Sequence, residues 1–501
     1  MADIKDLRQE IDQIDRDLVQ IFKRRMAWSQ AIGAYKKAQG IPVLDKKREE
    51  EVLERLTQGE DESTKKAIEG LYDRIFALSR AHQEGLLGKD PEEKIYGLVG
   101  EKLGHSFSPR IHQLLSGRPY GLYEVAPEDL EAFLGREDIG GLNVTIPYKK
   151  RAFALCDQVS PRASRLKNVN SLLKRPDGSL WGDNTDYGGF VYLLRDLAYD
   201  PQGKKALVLG TGGAGQTVRA VLEDLGAQVH MVSRWGPLDY EGAYREEGVQ
   251  LVVNATPVGM YPHNGKSPLD LSRFPSLEAC LDLVYNPLKT ALILQAQALG
   301  LPARSGLGML VDQARLSAEI FQGEALPPSK TREIQALLEG ELKNLVLIGM
   351  PSSGKTSIGQ VLAQKLGKDF VDLDQEIERR TGLGIPDYFK VHGEEAFRDL
   401  ESQLIEVFGK RTGQVIACGG GVVERKENYL PLKQNGTLIL IKRPLEDLSS
   451  QGRPLSQKEG VEALYRRRRG LYLSWADLAL DNRGIQETAG QIEALFKTGA
   501  L

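Results

Sequence analysis

Residues Asn344 to Thr356 read NLVLIGMPSSGKT, and this stretch decides the fold of the C-terminal third of the chain. An apolar run ends at Gly349, where the pattern GxxxxGK[ST] begins. An apolar strand followed by this pattern and a helix predicts a loop that binds nucleotide phosphates and Mg²⁺. The predicted contacts are Gly349, Ser352, Ser353, Gly354, Lys355, Thr356 and Ser357, with Lys355 on the β/γ-phosphates and Thr356 on the metal.

Length and composition indicate a multidomain globular protein. At 501 residues about three domains are expected. A net charge of −3 argues against nucleic acid or an anionic membrane as a partner. The three cysteines form no CxxC pair, so neither a zinc site nor a disulfide framework is expected. No signal-peptide core and no membrane-spanning apolar run is seen, so we expect a cytoplasmic protein.

Residues 1–88 predict a small all-helical domain. Apolar residues at positions 4, 7, 11, 14, 18 and 21 form a heptad seam on a helix that runs to about Gln39. Two further helices are expected at about 45–58 and 63–87. Arg25 and Lys36 share one face of the first helix. Arg8 lies about 26 Å from Arg25 along that helix, so one small ligand cannot contact both from the same chain.

Residues 4–87 resemble the all-helical chorismate mutase family, beginning with the motif LRxxID at Leu7 to Asp12. The resemblance implies an intertwined homodimer in which the partner helix supplies Arg8. It also implies rearrangement of chorismate to prephenate, with the polarised transition state stabilised by fixed cations and hydrogen-bond donors. The implied catalytic residues are Arg25, Lys36 and Gln83, and the implied substrate-binding residues are Arg8, Asp45, Arg48, Glu49 and Ser79.

Residues 94–339 predict two α/β units after a polar linker at 88–94. The first has strands at about 94–100, 123–126 and 140–147. The second begins with a buried strand at 206–209 and the glycine turn GTGGAG at 210–215, which is typical of a dinucleotide-binding site. Its next strand ends in Ser233 and Arg234 without an acidic residue, which favours NADP(H) over NAD.

This region resembles shikimate dehydrogenase over its whole length. The matching motifs are GHSFSP at 104–109, NVTIPYK at 143–149, GDNTD at 182–186 and NATPVGM at 254–260. The resemblance implies reduction of 3-dehydroshikimate with NADPH, with Lys149 as the catalytic lysine and Asp186 as its partner. It implies a substrate half at 94–187 plus 306–339 and a cofactor half at 188–305.

The same resemblance assigns further residues. The implied substrate-binding residues are Ser106, Ser108, Thr145, Asn170, Tyr285 and Gln313. The implied cofactor-binding residues are Gly210, Gly212, Gly213, Ala214, Ser233, Arg234, Asn254 and Thr256. Gln113 replaces an expected asparagine. Trp235 replaces a small hydroxyl residue, which leaves the preference for NADP partly open.

Residues 343–501 carry two further features after the phosphate loop. A second strand is expected to end in the sequence FVDLD at 370–374, with both aspartates on one side of that strand. Three consecutive glycines, 419–421, allow backbone amides to contact a ligand. A closing helix at about 331–338 and a short charged link at 339–343 are expected to precede this domain.

This last segment resembles shikimate kinase, within the group that is similar to nucleoside-monophosphate kinases. The resemblance implies that Asp374 binds substrate hydroxyls and acts as a base, while Asp372 supports Mg²⁺. Arg398 and Arg468 are implied to hold the shikimate carboxylate, together with Gly419, Gly420 and Gly421, and Arg453 is implied to cover ATP. Arg468 is chosen by its spacing to Tyr472; a neighbouring arginine of the run 466–469 is the alternative.

Taken together, the three resemblances imply a multidomain, trifunctional enzyme of aromatic biosynthesis. The expected order is an all-α three-helix domain, an α/β two-domain dehydrogenase with a Rossmann half, and an α/β P-loop kinase. Two alternatives keep the dehydrogenase and the kinase. In one, the N-terminal helices are a regulator that responds to prephenate, and in the other they are a structural dimerisation module.

Overall fold

The structure is a computed structural model that describes residues 4–39, 46–87, 94–104, 106–448, 460–499 and 501. The chain divides into two compact units, Met1–Ile95 and Tyr96–Leu501. Within the described part, no helix is long and apolar enough to cross a membrane. The linker expected at 88–94 lies outside the described residues except for Lys94.

The described part of the first unit is helical, which confirms the predicted all-α domain. Its helices are α1 (Ile4–Gln39), α2 (Lys46–Thr57) and α3 (Glu62–Leu87). Both α1 and α2 pack against α3. The seam residues Ile11, Ile14, Leu18 and Ile21 are each more than half exposed. One copy of this unit therefore leaves the heptad seam of α1 uncovered.

A mixed six-stranded sheet follows, with the strand order β2-β1-β3-β5-β6-β4. Strand β5 runs antiparallel to both of its neighbours, β3 and β6. The strands are β1 (Ile95–Gly100), β2 (Gly121–Glu124), β3 (Ile139–Val144), β4 (Gln158–Val159), β5 (Ser171–Lys174) and β6 (Leu180–Asp183). The accompanying helices are α4 (Ser108–Ser116), α5 (Leu130–Leu134), α6 (Lys149–Ala154), α7 (Pro161–Leu166) and α8 (Asp186–Asp196).

The second sheet is parallel, with the order β11-β10-β9-β7-β8. Its strands are β7 (Lys205–Leu209), β8 (Gln228–Val232), β9 (Val249–Asn254), β10 (Ala279–Asp282) and β11 (Ala303–Ser305), with helices α9 (Gly213–Asp224), α10 (Tyr240–Ala243) and α11 (Ala291–Ala298). After β11 the chain returns to the first sheet, because helix α12 (Leu307–Gln322) packs against α4 and α8. Helix α13 (Ser329–Leu342) then leads to the third sheet.

The third sheet is also parallel, with the order β13-β14-β12-β15-β16. Its strands are β12 (Asn344–Ile348), β13 (Asp369–Asp372), β14 (Gln414–Ala417), β15 (Gly436–Lys442) and β16 (Leu478–Asp481). Every residue of the central strand β12 is buried, as expected for a strand with helices on both faces. The helices are α14 (Lys355–Leu366), α15 (Leu373–Thr381), α16 (Ile385–Gly409), α17 (Tyr429–Asn435), α18 (Val461–Trp475) and α19 (Ile485–Lys497).

The expectation that Asp372 and Asp374 share one strand is wrong. Strand β13 ends at Asp372, and Asp374 lies in the first turn of α15. The Asp372 carboxylate accepts hydrogen bonds from the backbone N–H groups of Asp374 and Gln375 at 3.0 and 3.2 Å. Aspartate is a favoured N-cap residue, so the chain turns into a helix where the sequence pattern predicted an extended strand.

The charged link expected at 339–343 is also wrong, because helix α13 continues to Leu342. Nζ of Lys368 donates to the carbonyl oxygens of Gly340, Glu341 and Lys343 at 2.8, 3.2 and 3.0 Å. A helix end leaves such carbonyl groups without partners, and a cation there also interacts favourably with the helix dipole. The strand expected at 123–126 lies two residues earlier, at Gly121–Glu124.

The end of α17 meets the loop that follows β10. The backbone N–H of Leu288 donates to Oδ1 of Asn435 at 3.0 Å, and that of Lys289 donates to the carbonyl oxygen of Gln434 at 2.9 Å. Nε2 of Gln434 donates to the carbonyl oxygen of Asn264 at 2.9 Å. The side chains of Asn435, Gln434 and Asn264 are buried, and each makes a hydrogen bond across this junction, so the second and third sheets meet in a specific arrangement.

Candidate active sites

In the first unit, Arg25 of α1 reaches the third helix. Its Nη1 donates a hydrogen bond to Oγ of Ser79, which is buried. Its guanidinium carbon lies 5.9 Å from the centre of the Phe76 ring. Two of the predicted residues therefore meet, and they present a fixed cation beside a hydroxyl group, which suits an anionic ligand.

The other predicted residues of this unit lie on the same helices. Arg48 is exposed on α2, where its Nη1 lies 3.3 Å from Oε2 of Glu51. Lys36 and Glu49 are half-buried on α1 and α2. Arg8 lies in α1 and Gln83 in α3, but their side chains lie outside the described residues, as does the whole of Asp45.

Four predicted residues form one connected group beside the first sheet. Nζ of Lys149 donates to Oδ2 of Asp186 at 2.5 Å. Oδ1 of Asp186 accepts from Nδ2 of Asn170 at 2.8 Å, and the same Nδ2 lies 3.3 Å from Oε1 of Gln313. The Lys149 side chain keeps 22% of its exposure. The ammonium is thus held by a carboxylate and is still accessible to a ligand.

Each member of this group is positioned by a different element. Lys149 opens α6 and Asp186 opens α8, where a carboxylate is favoured by the helix dipole. Asn170 immediately precedes β5, and Gln313 lies in α12. The N–H and the hydroxyl of Thr185 donate to Oδ1 of Asn170 at 2.7 and 3.1 Å. These bonds leave the Nδ2 group of Asn170 to face Asp186 and Gln313.

The remaining substrate candidates of this region lie near the start of α4 and the end of β3. Ser108 is buried, and its N–H donates to Oγ of Ser106 at 3.2 Å. Phe107 lies between these two serines in the sequence. The centre of its ring is 5.7 Å from the centre of the Tyr285 ring. The N–H of Thr145 donates to the carbonyl oxygen of Val99 at 3.0 Å. His105 lies outside the described residues.

The glycine turn after β7 fits a dinucleotide pyrophosphate. Gly210 has a φ of 102°, and α9 begins at Gly213, followed by Ala214. A Cβ on Gly215 would lie 2.0 Å from the carbonyl oxygen of Gly210, so only glycine is tolerated there. A Cβ on Gly212 or Gly213 would meet nothing within 4 Å. Open space thus lies at the N-terminus of a helix, where backbone N–H groups favour a phosphate.

The turn after β8 carries the residues that were predicted to select NADP. Arg234 and Trp235 are exposed, and the N–H of Ser233 donates to the carbonyl oxygen of Leu238 at 3.0 Å. An exposed arginine at this position is available for a 2′-phosphate. Trp235 is 96% exposed, so its ring does not pack into the domain.

A buried polar network connects the ends of β9 and β10. Oδ1 of Asn254 accepts hydrogen bonds from the N–H and the hydroxyl of Thr256 at 3.1 and 2.6 Å. Nδ2 of Asn254 donates to Oδ1 of Asp282 at 2.9 Å, and the hydroxyl of Thr290 donates to Oδ2 at 2.6 Å. Burial raises the pKa of Asp282 to about 7 against the opposing effect of these hydrogen bonds.

The phosphate loop has the backbone that its sequence predicts. Gly349, Ser352 and Gly354 all have positive φ angles, of 142°, 65° and 97°. Nζ of Lys355 donates to the carbonyl oxygens of Gly349 and Met350 at 2.9 Å each. Oγ of Ser353 is buried and has no hydrogen-bond partner among the described residues. A loop closed by its own lysine at a helix N-terminus, with an unsatisfied hydroxyl, fits a bound polyphosphate.

Thr356 and Asp372 form the candidate metal position. Oγ1 of Thr356 donates to Oδ2 of Asp372 at 2.6 Å, and the other oxygen of Asp372 caps α15. A hydroxyl and a carboxylate beside a phosphate loop are the hard oxygen ligands that Mg²⁺ prefers. Ser357 is exposed on the first turn of α14.

Two buried arginines converge on one carboxylate in the third sheet's domain. Nη2 of Arg468 lies 2.7 Å from Oε2 of Glu424, and Nη2 of Arg398 lies 3.4 Å from the same oxygen. Nη1 of Arg398 donates to Oε2 of Glu401 at 2.7 Å. Complete burial raises the pKa of Glu401 although the positive charge of Arg398 opposes this shift. The two guanidinium groups can therefore bind a single carboxylate between them.

The glycine run 419–421 lies among these side chains. A Cβ on Gly419 would lie 2.5 Å from Oε1 of Glu401 and 2.9 Å from Oδ1 of Asp374, and a Cβ on Gly421 would lie 2.0 Å from Nη2 of Arg398. The absence of a Cβ lets the backbone approach these side chains closely at both positions. The run therefore joins Asp374 and Arg398 in one cleft.

The run 466–469 has one buried member. Arg468 is 1% exposed, whereas Arg466, Arg467 and Arg469 are exposed. The hydroxyl of Tyr472 donates to the carbonyl oxygen of Gly420, which places one helical turn of α18 against the glycine run. This geometry supports the register that the spacing to Tyr472 predicted. Arg453 lies outside the described residues.

Three acidic residues that shape these sites were not predicted as site residues: Asp282, Glu401 and Glu424. Glu401 follows Arg398 by three positions on one helix, a spacing at which opposite charges meet. Glu424 is 44 residues from Arg468, and Asp282 is 28 residues from Asn254. Pairings over such separations depend on the sheet topology and leave no local signal in the sequence.

The comparisons with known proteins cover all three parts of the chain. The family models match as Chorismate mutase type II over residues 7–84, Shikimate dehydrogenase substrate binding domain over 98–172 and Shikimate kinase over 351–495. A Shikimate dehydrogenase (NADP(+)) from Methanopyrus kandleri is 36% identical over 283 residues, covering 50% of this chain and 97% of that protein. One from Acidiphilium cryptum is 38% identical over 244 residues, covering 44% of this chain and 87% of that protein.

Among solved structures, a chorismate mutase/shikimate 5-dehydrogenase fusion protein from Clostridium acetobutylicum is 36% identical, with a TM-score of 0.47, covering 49% of this chain and 96% of that chain. The three resemblances read from the sequence motifs are confirmed by the family models. The chain belongs to the shikimate dehydrogenase family, and it carries a chorismate mutase domain before that region and a shikimate kinase domain after it.

Proposed function

We propose that this chain reduces 3-dehydroshikimate to shikimate with NADPH, phosphorylates shikimate to shikimate 3-phosphate with MgATP, and rearranges chorismate to prephenate. The observation that carries most weight is the connected group of Lys149, Asp186, Asn170 and Gln313, which four separate elements bring together. We assign residues 1–88 to the mutase, 94–339 to the dehydrogenase and 343–501 to the kinase. The cytoplasmic location expected from the sequence stays a prediction.

In the dehydrogenase, the residues supply a proton and hold the substrate. NADPH supplies the hydride when it is bound. Lys149 donates a proton to the alkoxide that develops on the reduced carbonyl, and Asp186 keeps the ammonium in position at 2.5 Å. Asn170 and Gln313 donate and accept hydrogen bonds on the hydroxyl groups, and Ser106 and Ser108 bind the carboxylate. Hydride plus proton gives the alcohol.

In the kinase, the residues position two anionic reactants. Lys355 and the loop amides bind the phosphates, and Thr356 with Asp372 binds Mg²⁺. Arg398 and Arg468 hold the shikimate carboxylate, as they hold the Glu424 carboxylate in this structure. Asp374 accepts the proton of the attacking hydroxyl. The hydroxyl oxygen bonds to the γ-phosphorus of ATP as the bond from that phosphorus to ADP breaks, and ADP is the leaving group.

In the mutase, we propose that Arg25 and Lys36 bind the anionic substrate and stabilise the negative charge that develops on its ether oxygen. Arg8 of a second copy would complete the site. The exposed seam of α1 supports a homodimer, because four large apolar residues on one helix face are stabilised by burial against a partner.

The same exposed seam also supports the alternative that the N-terminal helices serve only to dimerise the chain, or that they sense prephenate. One experiment separates these functions. The intact chain is assayed with dehydroshikimate, NADPH and ATP, and separately with chorismate. Formation of shikimate 3-phosphate and of prephenate supports the trifunctional assignment. If the chain forms shikimate 3-phosphate but no prephenate, and is dimeric by sedimentation, the N-terminal helices are not a mutase. Binding of prephenate to this chain then assigns a sensor, and no binding assigns a dimerisation module.

A further inference from the structure

A cavity of about 380 Å³ lies beside helix α13, away from the residues proposed for catalysis. One wall is formed by Gln335, Glu339 and Lys343, which follow one another at intervals of four residues along α13 and just beyond its end. The loop after β10, α11 and β11 form the other wall. This volume is within the range of sites that hold small molecules.

Several charged side chains of this cavity already have partners. Nε of Arg304 lies 2.8 Å from Oδ2 of Asp196, so these two side chains form an ion pair. Oε1 of Glu339 accepts a hydrogen bond from Nε2 of Gln335 at 3.0 Å. Nζ of Lys343 donates to the main-chain oxygen of Leu501 at 2.6 Å, so this ammonium also has a partner. Of the lining residues, Lys289, Arg304 and Lys343 are basic, and Asp196 and Glu339 are acidic.

Lys289 differs from Arg304, which has Asp196 as its counter-ion. Its side chain is half-buried, and no carboxylate of the described residues lies within 4.0 Å of its ammonium. The neighbouring Lys433 is paired with Asp477. Burial, and then the positive charge of Lys433, lower the pKa of Lys289, although the negative charges of Asp477 and Glu339 oppose this shift. A partly desolvated ammonium among other cations is unfavourable until an anion joins it.

We propose that this cavity is a binding site for a small organic anion that carries a carboxylate or a phosphate group, with Lys289 as its counter-charge. Gln297 and Ser305 in the lining offer hydrogen bonds to such a ligand, and Leu288 and Ile293 offer an apolar surface to its carbon skeleton. A half-buried ammonium with no carboxylate of the described residues within 4.0 Å, beside hydrogen-bonding and apolar side chains, suits an organic anion better than a neutral apolar molecule.

The position of Lys289 connects this site to the junction between the dehydrogenase and the kinase. The backbone N–H groups of Leu288 and Lys289 donate to Asn435 and Gln434 of the kinase. The next residue, Thr290, donates its hydroxyl to Asp282. An anion on the Lys289 side chain therefore stabilises the segment that joins the two domains, and its binding is expected to raise the thermal stability of the intact chain.

The first test measures the reactivity of Lys289 in the intact wild-type chain. Limiting acetic anhydride acetylates lysines, and peptide mass spectrometry gives the extent at Lys289 relative to Lys330, an exposed lysine of α13 that does not line the cavity. Inorganic phosphate or citrate at twice its dissociation constant should lower the relative rate at Lys289 about threefold. Protection by citrate alone assigns a carboxylate ligand, and protection by phosphate alone assigns a phosphate. Protection by neither anion overturns the proposal.

The second test compares Lys289→Gln with the matched variant Lys330→Gln. Both lose one positive charge, and both keep the phosphate loop and the dehydrogenase cleft, which bind anions in every variant. The rise in melting temperature on adding the protecting anion should be smaller for Lys289→Gln than for Lys330→Gln and wild type. Equal rises in all three proteins contradict the site. Should Lys289→Gln fail to fold, the labelling of the wild type decides.

Discussion

Oε2 of Glu424 lies 2.7 Å from Nη2 of Arg468, so a side-chain carboxylate lies where that arginine points. Arg398 points to the same oxygen, and Nε of Arg467 donates to Oε1 at 2.7 Å. Burial raises the pKa of Glu424, but the hydrogen bond and charge of Arg468 outweigh it and lower the pKa overall. Glu424 is therefore ionised at neutral pH and competes with any substrate carboxylate for the two arginines.

Replacing Glu424 with Gln should lower the KM for shikimate in the kinase reaction. The change removes the competing charge and keeps the shape of the side chain. A difference of about 1 kcal/mol in binding corresponds to a fall in KM of about fivefold. Steady-state kinetics with saturating ATP measure the change, and kcat should stay close to that of the wild type. Glu427→Gln, an exposed change nearby, is the control. A rise in KM would show instead that Glu424 positions the arginines.

Replacing Lys149 with Ala should lower kcat of the dehydrogenase by about 10²- to 10⁴-fold, the usual contribution of a general acid or base. The neighbouring Lys150 is exposed, so Lys150→Ala should change the rate little. Oxidation of NADPH at 340 nm (the absorbance of the reduced nicotinamide) measures both. Kinase activity of the same samples shows that the chain is folded. Similar rates for the two variants would remove Lys149 from the mechanism.

Replacing Lys355 with Met should abolish formation of shikimate 3-phosphate and leave the dehydrogenase rate unchanged. Lys355 is buried and closes the phosphate loop through two carbonyl oxygens. Lys365→Met on the same helix removes an exposed lysine that pairs with Glu493, so it is the matched control. A coupled assay of ADP release measures the kinase. Wild-type ADP release from Lys355→Met would mean that this loop does not bind the transferred phosphate.

Replacing Arg25 with Ala should abolish conversion of chorismate to prephenate without loss of helicity. The change removes the cation that contacts Ser79 but leaves an alanine, which favours the helix. Arg24→Ala changes the preceding exposed arginine and should keep the activity. Chorismate consumption and far-ultraviolet circular dichroism are measured on both variants. Loss of helicity in Arg25→Ala alone would mean that its contacts are structural.

Replacing Asp282 with Asn should remove a pH dependence of stability. The folded pKa of about 7 lies above the unfolded value of about 3.9, so folding favours the protonated carboxyl. Its contribution to stability is fully present below about pH 4 and is lost as pH rises to about 7 and beyond. Urea unfolding should therefore show the wild type losing stability relative to Asp282→Asn between about pH 5 and pH 8. A constant difference between the two proteins would contradict the raised pKa.

The sequence by itself determined the elements that are encoded by short local patterns. The apolar run before Gly349, the glycine turn at 210–215 and the heptad seam of α1 each predicted the correct type of structure. The resemblance to shikimate dehydrogenase implied that Asp186 is the partner of Lys149, and the two side chains lie 2.5 Å apart. Local patterns suffice here because a strand, a glycine turn and a helix depend on residues within a few positions of one another.

Two local patterns were misleading at their boundaries. Alternation predicted Asp374 on a strand, but the capping bonds from Asp372 begin a helix first. Charge density predicted a link at 339–343, but three carbonyl groups at the end of α13 are satisfied by Lys368, which lies 25 to 28 positions away. In both cases hydrogen bonds outweighed the average preference of the residues.

Only the tertiary structure decided which charges meet and which are buried. The pairing of Glu424 with Arg398 and Arg468, the raised pKa of Asp282 and the lowered pKa of Lys289 all depend on segments that are distant in sequence. Hydrogen-bond geometry, desolvation and the distance between charges are properties of the packed chain. A sequence pattern gives the residue types, and the packing sets their environment.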